Sequence, residues 1–137
     1  MTAIGMPWAV ISTDNRRIEG SILIVDDDPS IVGFLELALA DEGYAVRSAG
    51  NGRDALARIG EQSPDLILLD MNMPIMNGWE FCAQLPRHTT KMIPVVVMTA
   101  ARDAFARSRE VGAQAYLGKP FNLDHMFETI RELLPAS

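Results

Sequence analysis

Short apolar runs alternate along the chain with longer segments in which apolar residues recur every three or four positions. A short continuous apolar run is typical of a strand that is buried on both faces, as in a parallel sheet beneath helices. Such runs predict strands at residues 21–25, 66–70 and 95–98, and two further short strands are predicted at 45–48 and 115–118.

The segments between these runs have helical periodicity. Helices are predicted from Pro29 to the glycine at position 43, and at residues 53–60, 79–85, 102–111 and 123–134. The fourth helix has only a thin apolar face, in which Phe105 and Val111 accompany several alanines. Five strands that alternate with five helices predict an α/β fold, with right-handed crossovers and a parallel sheet covered on both faces.

The length of 137 residues fits a single domain with one sizeable core. Residues 1–20 show no clear period and are interpreted as a mobile N-terminal tail, so the domain is expected at residues 21–135. Because the chain ends just after the fifth predicted helix, we expect a domain that acts on its own.

Composition argues against several classes of function. The net charge of -6 disfavours nucleic-acid binding, since contact with a phosphate backbone needs clustered Lys and Arg. Cys82 is the only cysteine, so neither an intramolecular disulfide nor a cysteine metal cluster can form. No apolar run approaches the length of a membrane span, and residues 4–11 lack the basic region of a secretory signal. The expected compartment is the cytoplasm.

Polar side chains stand at the carboxyl ends of four predicted strands. Asp26 and Asp27 follow the first strand, Asp70 ends the third, Thr99 follows the fourth and Lys119 follows the fifth. These ends share one edge of a parallel sheet, where open α/β sheets bind ligands, so the five side chains should converge. Two like charges about 4 Å apart repel by roughly 4 kcal/mol at an effective dielectric near 20, so the carboxylates need cations nearby.

Lys119 supplies one of these cations, and a hard divalent ion is the natural second. Mg²⁺ takes oxygen ligands and often binds through one or two carboxylates and a phosphate. A metal, a lysine, a hydroxyl and a carboxylate together fit phosphoryl transfer, with Asp70 as the nucleophile. Each residue alone has a plainer explanation, because Asp28 or a neighbour can cap a helix and Thr99 can simply end a strand. Their common place at one edge favours a functional site.

At these positions the chain resembles the receiver domain of two-component response regulators, particularly single-domain chemotaxis regulators. The resemblance extends over about residues 21–134, in the correct order and spacing. The matching motifs are ILIVDDDP at 22–29, LLDMNMP at 68–74, NG at 77–78, MTA at 98–100 and KPF at 119–121.

The resemblance implies a flavodoxin-like fold with strand order 2-1-3-4-5. It makes Asp70 the phosphoacceptor. It also implies that Mg²⁺ binds Asp27 directly, Asp26 largely through water, Asp70, and the backbone carbonyl of Asn72.

The same resemblance assigns the remaining roles. Thr99 and Lys119 would contact the phosphoryl group, Tyr116 would be the switch aromatic, and the peptide bond between Lys119 and Pro120 would be cis. The phosphoryl donor would be a histidine kinase or a histidine phosphotransfer protein. Output would pass to a protein partner through the face formed by residues 102–134. The domain would be an enzyme only in catalysing its own phosphorylation and dephosphorylation.

Three other functions are weighed against this phosphoswitch. A Mg²⁺-dependent phosphatase with an aspartyl nucleophile usually has a second acid two residues later, where this chain has Asn72, which cannot exchange a proton as a carboxyl does. A pseudo-receiver that binds its partner constitutively is disfavoured by the complete set of acidic, hydroxyl and lysine residues. A nucleotide-binding domain would need a glycine-rich phosphate loop after the first strand.

Three positions differ from the common pattern of the family or offer no polar group. Asn77 replaces the usual Asp before Gly78, and because both suit a turn we expect little effect. Ala101, two residues after Thr99, and Met71, beside Asp70, present nothing polar to a hydrolytic water. We therefore expect slow loss of the phosphoryl group.

Overall fold

The structure is a computed structural model that describes residues 20–134. Within this part the strands all join one sheet. They are β1 (Ser21–Val25), β2 (Ala45–Ala49), β3 (Leu66–Asp70), β4 (Val95–Ala100) and β5 (Ala115–Lys119).

Helices follow each strand in the described part of the chain. They are α1 (Pro29–Asp41), α2 (Gly52–Glu61), α3 (Gly78–Gln84) with a 3₁₀ turn (Leu85–Arg87), α4 (Ala101–Val111) and α5 (Leu123–Leu133). Four of them begin after an Asp or Asn whose side chain accepts a hydrogen bond from a first-turn N–H, which fixes where each helix starts. These capping residues are Asp28, Asn51, Asn77 and Asn122.

The strands are parallel, and their order across the sheet is β2-β1-β3-β4-β5. This is the flavodoxin-like order 2-1-3-4-5, so the predicted fold is confirmed. The register pairs Val25 with Leu69 and Asp70 with Met98. The carboxyl ends of β1, β3 and β4 therefore lie side by side at one edge.

Each face of the sheet carries its own apolar core, because successive side chains of a strand point to opposite faces. On one face, Leu23 of β1 packs in a cluster with Leu56 of α2 and Phe81 of α3. On the other face, Ile24 packs with residues of α1 and α5. The central strand β3 is buried along its whole length, as its continuous apolar run predicted.

The observed boundaries differ slightly from the predicted ones. β2 extends to Ala49, β4 extends to Ala100, and α4 begins at Ala101 without an intervening turn. The thin apolar face predicted for α4 included Phe105, but this side chain is 54% exposed, and the buried residues of the helix are Ala104 and Ser108.

The predicted N-terminal tail, residues 1–20, lies outside the described residues apart from Gly20, as do residues 135–137. In the part that the structure covers, no helix has the length and apolar character needed to cross a membrane.

Candidate functional site

The end of β1 delivers two aspartates with different environments. Asp26 is 2% exposed, and its Oδ1 accepts a hydrogen bond of 2.9 Å from the backbone N–H of Asp28. Asp27 is exposed to solvent. Asp28 is the N-cap of α1, and its Oδ1 accepts from the N–H of Ser30 at 2.9 Å. One aspartate of the three is therefore a structural cap, as the sequence suggested, and the other two face the edge of the sheet.

Asp70 ends the central strand and is 7% exposed. Its Oδ1 accepts a long hydrogen bond of 3.5 Å from the backbone N–H of Asn72. Burial raises the pKa of the Asp70 carboxyl to about 6, and the negative charges of Asp26 and Asp27 act in the same direction. The positive charge of Lys119 and the hydrogen bond from Asn72 oppose this rise. Asp70 is thus a buried carboxyl whose ionisation the surroundings disfavour.

Lys119, at the end of β5, is the cation of the site. Its Nζ lies 3.0 Å from Oδ2 of Asp26 and 3.8 Å from Oδ1 of Asp70. The peptide bond that joins Lys119 to Pro120 is cis. The ammonium group therefore bridges the carboxylates of two neighbouring strands.

Thr99 lies at the same edge, near the end of β4. It follows Met98, the register partner of Asp70, and its side chain is 5% exposed. The structure thus brings the predicted residues of four strands to one edge. Asn72 follows Asp70 by two residues and is exposed at that edge.

The acidic residues form a group suited to a divalent cation. Asp26, Asp27 and Asp70 each contribute one carboxylate oxygen, and these three oxygens lie within 4.8 Å of one another. Lys119 lies near the carboxylates of Asp26 and Asp70, so a second cation would relieve the remaining repulsion among the three carboxylates. A cavity of about 270 Å³ opens beside Asp26 and Asp27 and leaves room for water ligands. The all-oxygen donor set and this open side fit Mg²⁺, which retains several waters when bound.

The loop after Asp70 is shaped by a close backbone approach that the sequence reasoning missed. A Cβ at Gly78 would lie 2.8 Å from the Cα of Met71, so any larger residue would displace the start of this loop. The N–H of Gly78 donates to the carbonyl of Met71 at 2.9 Å. Asn77 and Glu80 form a reciprocal capping box at the start of α3, so Asn77 has a local structural role. The Asn-Gly pair signalled a turn but not this contact.

Ile75, in the same loop, has a φ of 69° and is 68% exposed. A β-branched residue rarely adopts this left-handed conformation, and such strain costs on the order of 1–3 kcal/mol. The loop is held by neighbouring contacts, including a hydrogen bond of 2.9 Å from the N–H of Gly52 to the carbonyl of Met76.

Tyr116 lies away from the acidic edge, on β5. Its side chain is 45% exposed, and its ring contacts Phe105 of α4 edge to face, with the ring centroids 5.6 Å apart. The contact with Phe105 was not anticipated, because the sequence pattern assigned this residue only to the apolar face of α4.

A flavodoxin-like sheet with an aspartate cluster, a threonine and a lysine at its carboxyl edge defines this chain as an α/β domain of the receiver class. Residues 22–131 match the family described as the response regulator receiver domain. This chain belongs to that family.

Curated relatives agree with this assignment. The chain is 40% identical over 115 residues to the response regulator MprA of Mycolicibacterium vanbaalenii, a match that covers 82% of this chain and 49% of that protein. It is 37% identical over 118 residues to the alkaline phosphatase synthesis transcriptional regulatory protein PhoP of Bacillus subtilis, covering 85% of this chain and 49% of that protein. The chain thus spans about half the length of the curated relatives it matches.

Solved structures show the same fold. The chemotaxis protein CheY4 of Vibrio cholerae superposes with a TM-score of 0.75 at 33% identity, covering 85% of this chain and 99% of that chain. The signal receiver domain of a signal transduction histidine kinase from Syntrophus aciditrophicus superposes with a TM-score of 0.74 at 36% identity, covering 84% and 89% of the two chains.

Proposed function

We propose that this receiver domain accepts a phosphoryl group on the carboxylate of Asp70 from a histidine kinase or a histidine phosphotransfer protein, in a Mg²⁺-dependent reaction. The observation that carries the proposal is the juxtaposition of Asp70 with two further carboxylates and the ammonium group of Lys119. The reaction transfers the group to the protein itself, so we regard the domain as a switch and not as an enzyme that turns over a substrate.

The chain's own residues provide most of what the transfer requires. A carboxylate oxygen of Asp70 attacks phosphorus as the bond from phosphorus to the donor's histidine nitrogen breaks, and the imidazole of the donor is the leaving group. With a pKa of about 6 the Asp70 carboxyl is largely ionised at pH 7. Lys119 lies 3.8 Å from Asp70 and is placed to neutralise a phosphoryl oxygen. The hydroxyl of Thr99, at the end of the next strand, would donate a hydrogen bond to another oxygen.

The acidic group would hold the metal through Asp26, Asp27, Asp70 and the carbonyl of Asn72. When bound, Mg²⁺ supplies positive charge that stabilises the phosphoryl oxygens during transfer. Asp26 already has its two oxygens engaged by Asp28 and Lys119, which fits a ligand that acts through water. Asp27 is exposed and free to bind the ion directly.

We propose that the output is a change in affinity for a protein partner. The face concerned consists of α4, Tyr116 and α5, where α4 has few buried residues and so resists displacement weakly. Phosphorylation at Asp70 draws Thr99 towards the phosphoryl group, the start of α4 moves, and Tyr116 turns inward. The absence of nucleic-acid binding and a cytoplasmic location stay predictions, and two relatives are named as transcriptional regulatory proteins.

Labelling with acetyl phosphate tests the chemistry. We expect the full chain to gain one phosphoryl group in the presence of Mg²⁺, and Asp70→Asn and Asp27→Ala to gain none. Asp28→Asn is the matched control, since it removes a neighbouring charge but keeps a side chain able to cap α1, and it should be labelled normally. Undiminished labelling in excess EDTA, or labelling of Asp70→Asn, would contradict the proposal.

A transfer screen against purified histidine kinases identifies the donor. We expect at least one phosphorylated kinase or phosphotransfer protein to lose its label to the wild-type chain within seconds to minutes, and none to lose it to Asp70→Asn. Equal loss to both proteins would mean that the transfer does not use Asp70.

A further inference from the structure

Phe105 occupies an unusual place for a large aromatic residue. It lies on α4 and is 54% exposed, so its side chain contributes little to the core of the domain. Its ring instead contacts Tyr116 on the neighbouring strand, with centroids 5.6 Å apart and an interplanar angle of 67°. An edge-to-face pair of this kind is attractive beyond the area that it buries.

The Phe105 ring also has a cationic neighbour on its own helix. The guanidinium carbon of Arg109, one turn further along α4, lies 5.6 Å from the centroid of this ring. A cation over an aromatic face is attracted by the ring quadrupole, so Arg109 restricts the rotamer of Phe105. The carbonyl of Phe105 also accepts a hydrogen bond of 2.7 Å from the hydroxyl of the buried Ser108. Phe105 is therefore a held ring and not a freely rotating surface side chain.

Tyr116 has its side chain on the α4 side of the sheet. Its register partner is Val97, which belongs to the core on the α2, α3 and α4 face. The ring is nevertheless 45% exposed, and its described aromatic contact is with Phe105. Any inward turn of Tyr116 breaks this contact.

We propose that Phe105 is a positioning residue that holds Tyr116 in its exposed orientation. It thereby sets the apparent affinity for the phosphoryl group or its mimic at which the domain switches. The inference rests on the proposed function, in which Tyr116 turns inward. Loss of an aromatic pair of this kind corresponds to about a 2- to 12-fold change in the ratio of the two orientations. The apparent affinity for a phosphoryl mimic should change by the same factor while the inward state is the minor one.

The test uses the full chain labelled with fluorotyrosine, which reports on Tyr116 and on the buried Tyr44. Phe105→Ala should move the ¹⁹F resonance of Tyr116, without any ligand, towards its position in the wild type saturated with beryllofluoride and Mg²⁺. It should also lower the beryllofluoride concentration for half-saturation by about 2- to 12-fold. Arg109→Gln should shift both readouts in the same direction by less.

Two further variants separate positioning from general effects. Phe105→Tyr keeps the ring and should resemble the wild type in both readouts. Phe34→Ala is the matched control, because it removes a phenylalanine of similar exposure, 57%, from the surface of α1 on the other face of the sheet. It should leave the Tyr116 resonance unchanged.

The outcomes distinguish this inference from the proposed function. If beryllofluoride moves Tyr116 in the wild type but Phe105→Ala changes neither readout, or weakens binding, the role of Phe105 is refuted and the switch stands. If the wild type binds no beryllofluoride, the proposed function fails. The role of Phe105 then fails with it, because there is no switched orientation of Tyr116 for Phe105 to oppose.

Discussion

Replacement of Asp70 by Asn should make the metal-free domain more stable at neutral pH. The carboxyl of Asp70 is 7% exposed, and one of its oxygens lies within 4.8 Å of oxygens from both Asp26 and Asp27. An amide of nearly the same shape removes one charge from this group. Because Lys119 remains 3.0 Å from Asp26, the other buried carboxylate keeps its cation.

The magnitude follows from the pKa of Asp70, which rises from 3.8 to about 6 on folding because burial penalises the charged form. At about 1.4 kcal/mol per pH unit, such a rise corresponds to about 3 kcal/mol of destabilisation when the carboxyl is fully ionised. The site is open to water beside Asp27, and solvent screening reduces this figure to about 1–2 kcal/mol.

The pH dependence has a definite sign. Between pH 3.8 and about 6 the unfolded chain releases the proton of Asp70 before the native state does. The contribution of Asp70 to the free energy of unfolding therefore falls as the pH rises through this window and is level above it. Asp70→Asn has no carboxyl at this position and so does not lose stability in this way. The variant should match the wild type near pH 3.8 and exceed it by about 1–2 kcal/mol at pH 7.

Urea unfolding in EDTA, at several pH values from 4 to 7, measures this difference. Asp28→Asn is the control for removal of a neighbouring charge, and we expect its difference from the wild type to stay small throughout. Mg²⁺ should stabilise the native state, because it binds that state only. The wild type should gain more than Asp70→Asn, because the variant lacks one of the carboxylates that would hold the ion. A less stable Asp70→Asn at pH 7, or a difference that does not change with pH, would refute the repulsion argument.

The remaining predictions concern the lysine, the loop and the water-facing position of the site. Lys119→Met leaves the buried carboxylate of Asp26 without its cation and should lower the free energy of unfolding by about 1–3 kcal/mol in the same urea assay. Gly78→Ala should lower the free energy of unfolding by about 1–3 kcal/mol, because the added Cβ would meet the backbone of Met71. Gly33→Ala is the matched change within α1, where an added Cβ has nothing within 4 Å, and it should raise the free energy of unfolding by about 0.5–1 kcal/mol. Ala101→Glu should speed loss of the phosphoryl group several-fold in a radiolabel chase, since a carboxylate there can orient an attacking water; an unchanged rate would count against that role.

The fold was accessible from the sequence because each strong pattern had one structural solution. The run from Leu66 to Leu69 is apolar at every position, which is typical of a strand buried on both faces, and β3 is that strand. The start of α1 could also be predicted from the sequence, because Asp28 precedes Pro29 and an N-cap depends only on neighbouring residues. The edge that gathers the functional residues follows from parallel order alone.

The parts that escaped prediction depend on contacts between distant segments. Phe105 fits the helical period of α4, but the partner of its ring is Tyr116, eleven positions away on another element. The close approach of Gly78 to Met71 depends on the path of the loop, which residue types alone do not define. The short helix α4 also begins one residue earlier than predicted, because Ala101 follows β4 directly.

The attachment of α4 favours this helix as the element that carries a signal away from the site. It begins where β4 ends, two residues after Thr99, so any displacement of that strand end reaches it directly. Its buried residues, Ala104 and Ser108, are small and contribute little apolar area.

Much of what holds α4 lies at its surface. On the β5 side, Phe105 contacts Tyr116. On the α3 side, the indole N–H of Trp79 donates to Glu110 at 2.9 Å, and Arg107 lies 2.9 Å from the same carboxylate and covers the Trp79 ring. Such partly exposed contacts are weak and can break one at a time, whereas Val95 to Thr99 of the adjoining strand β4 are all buried. We therefore expect a change of a few kcal/mol at Asp70 to move α4 without disturbing the core, and Trp79 to report that movement by its fluorescence.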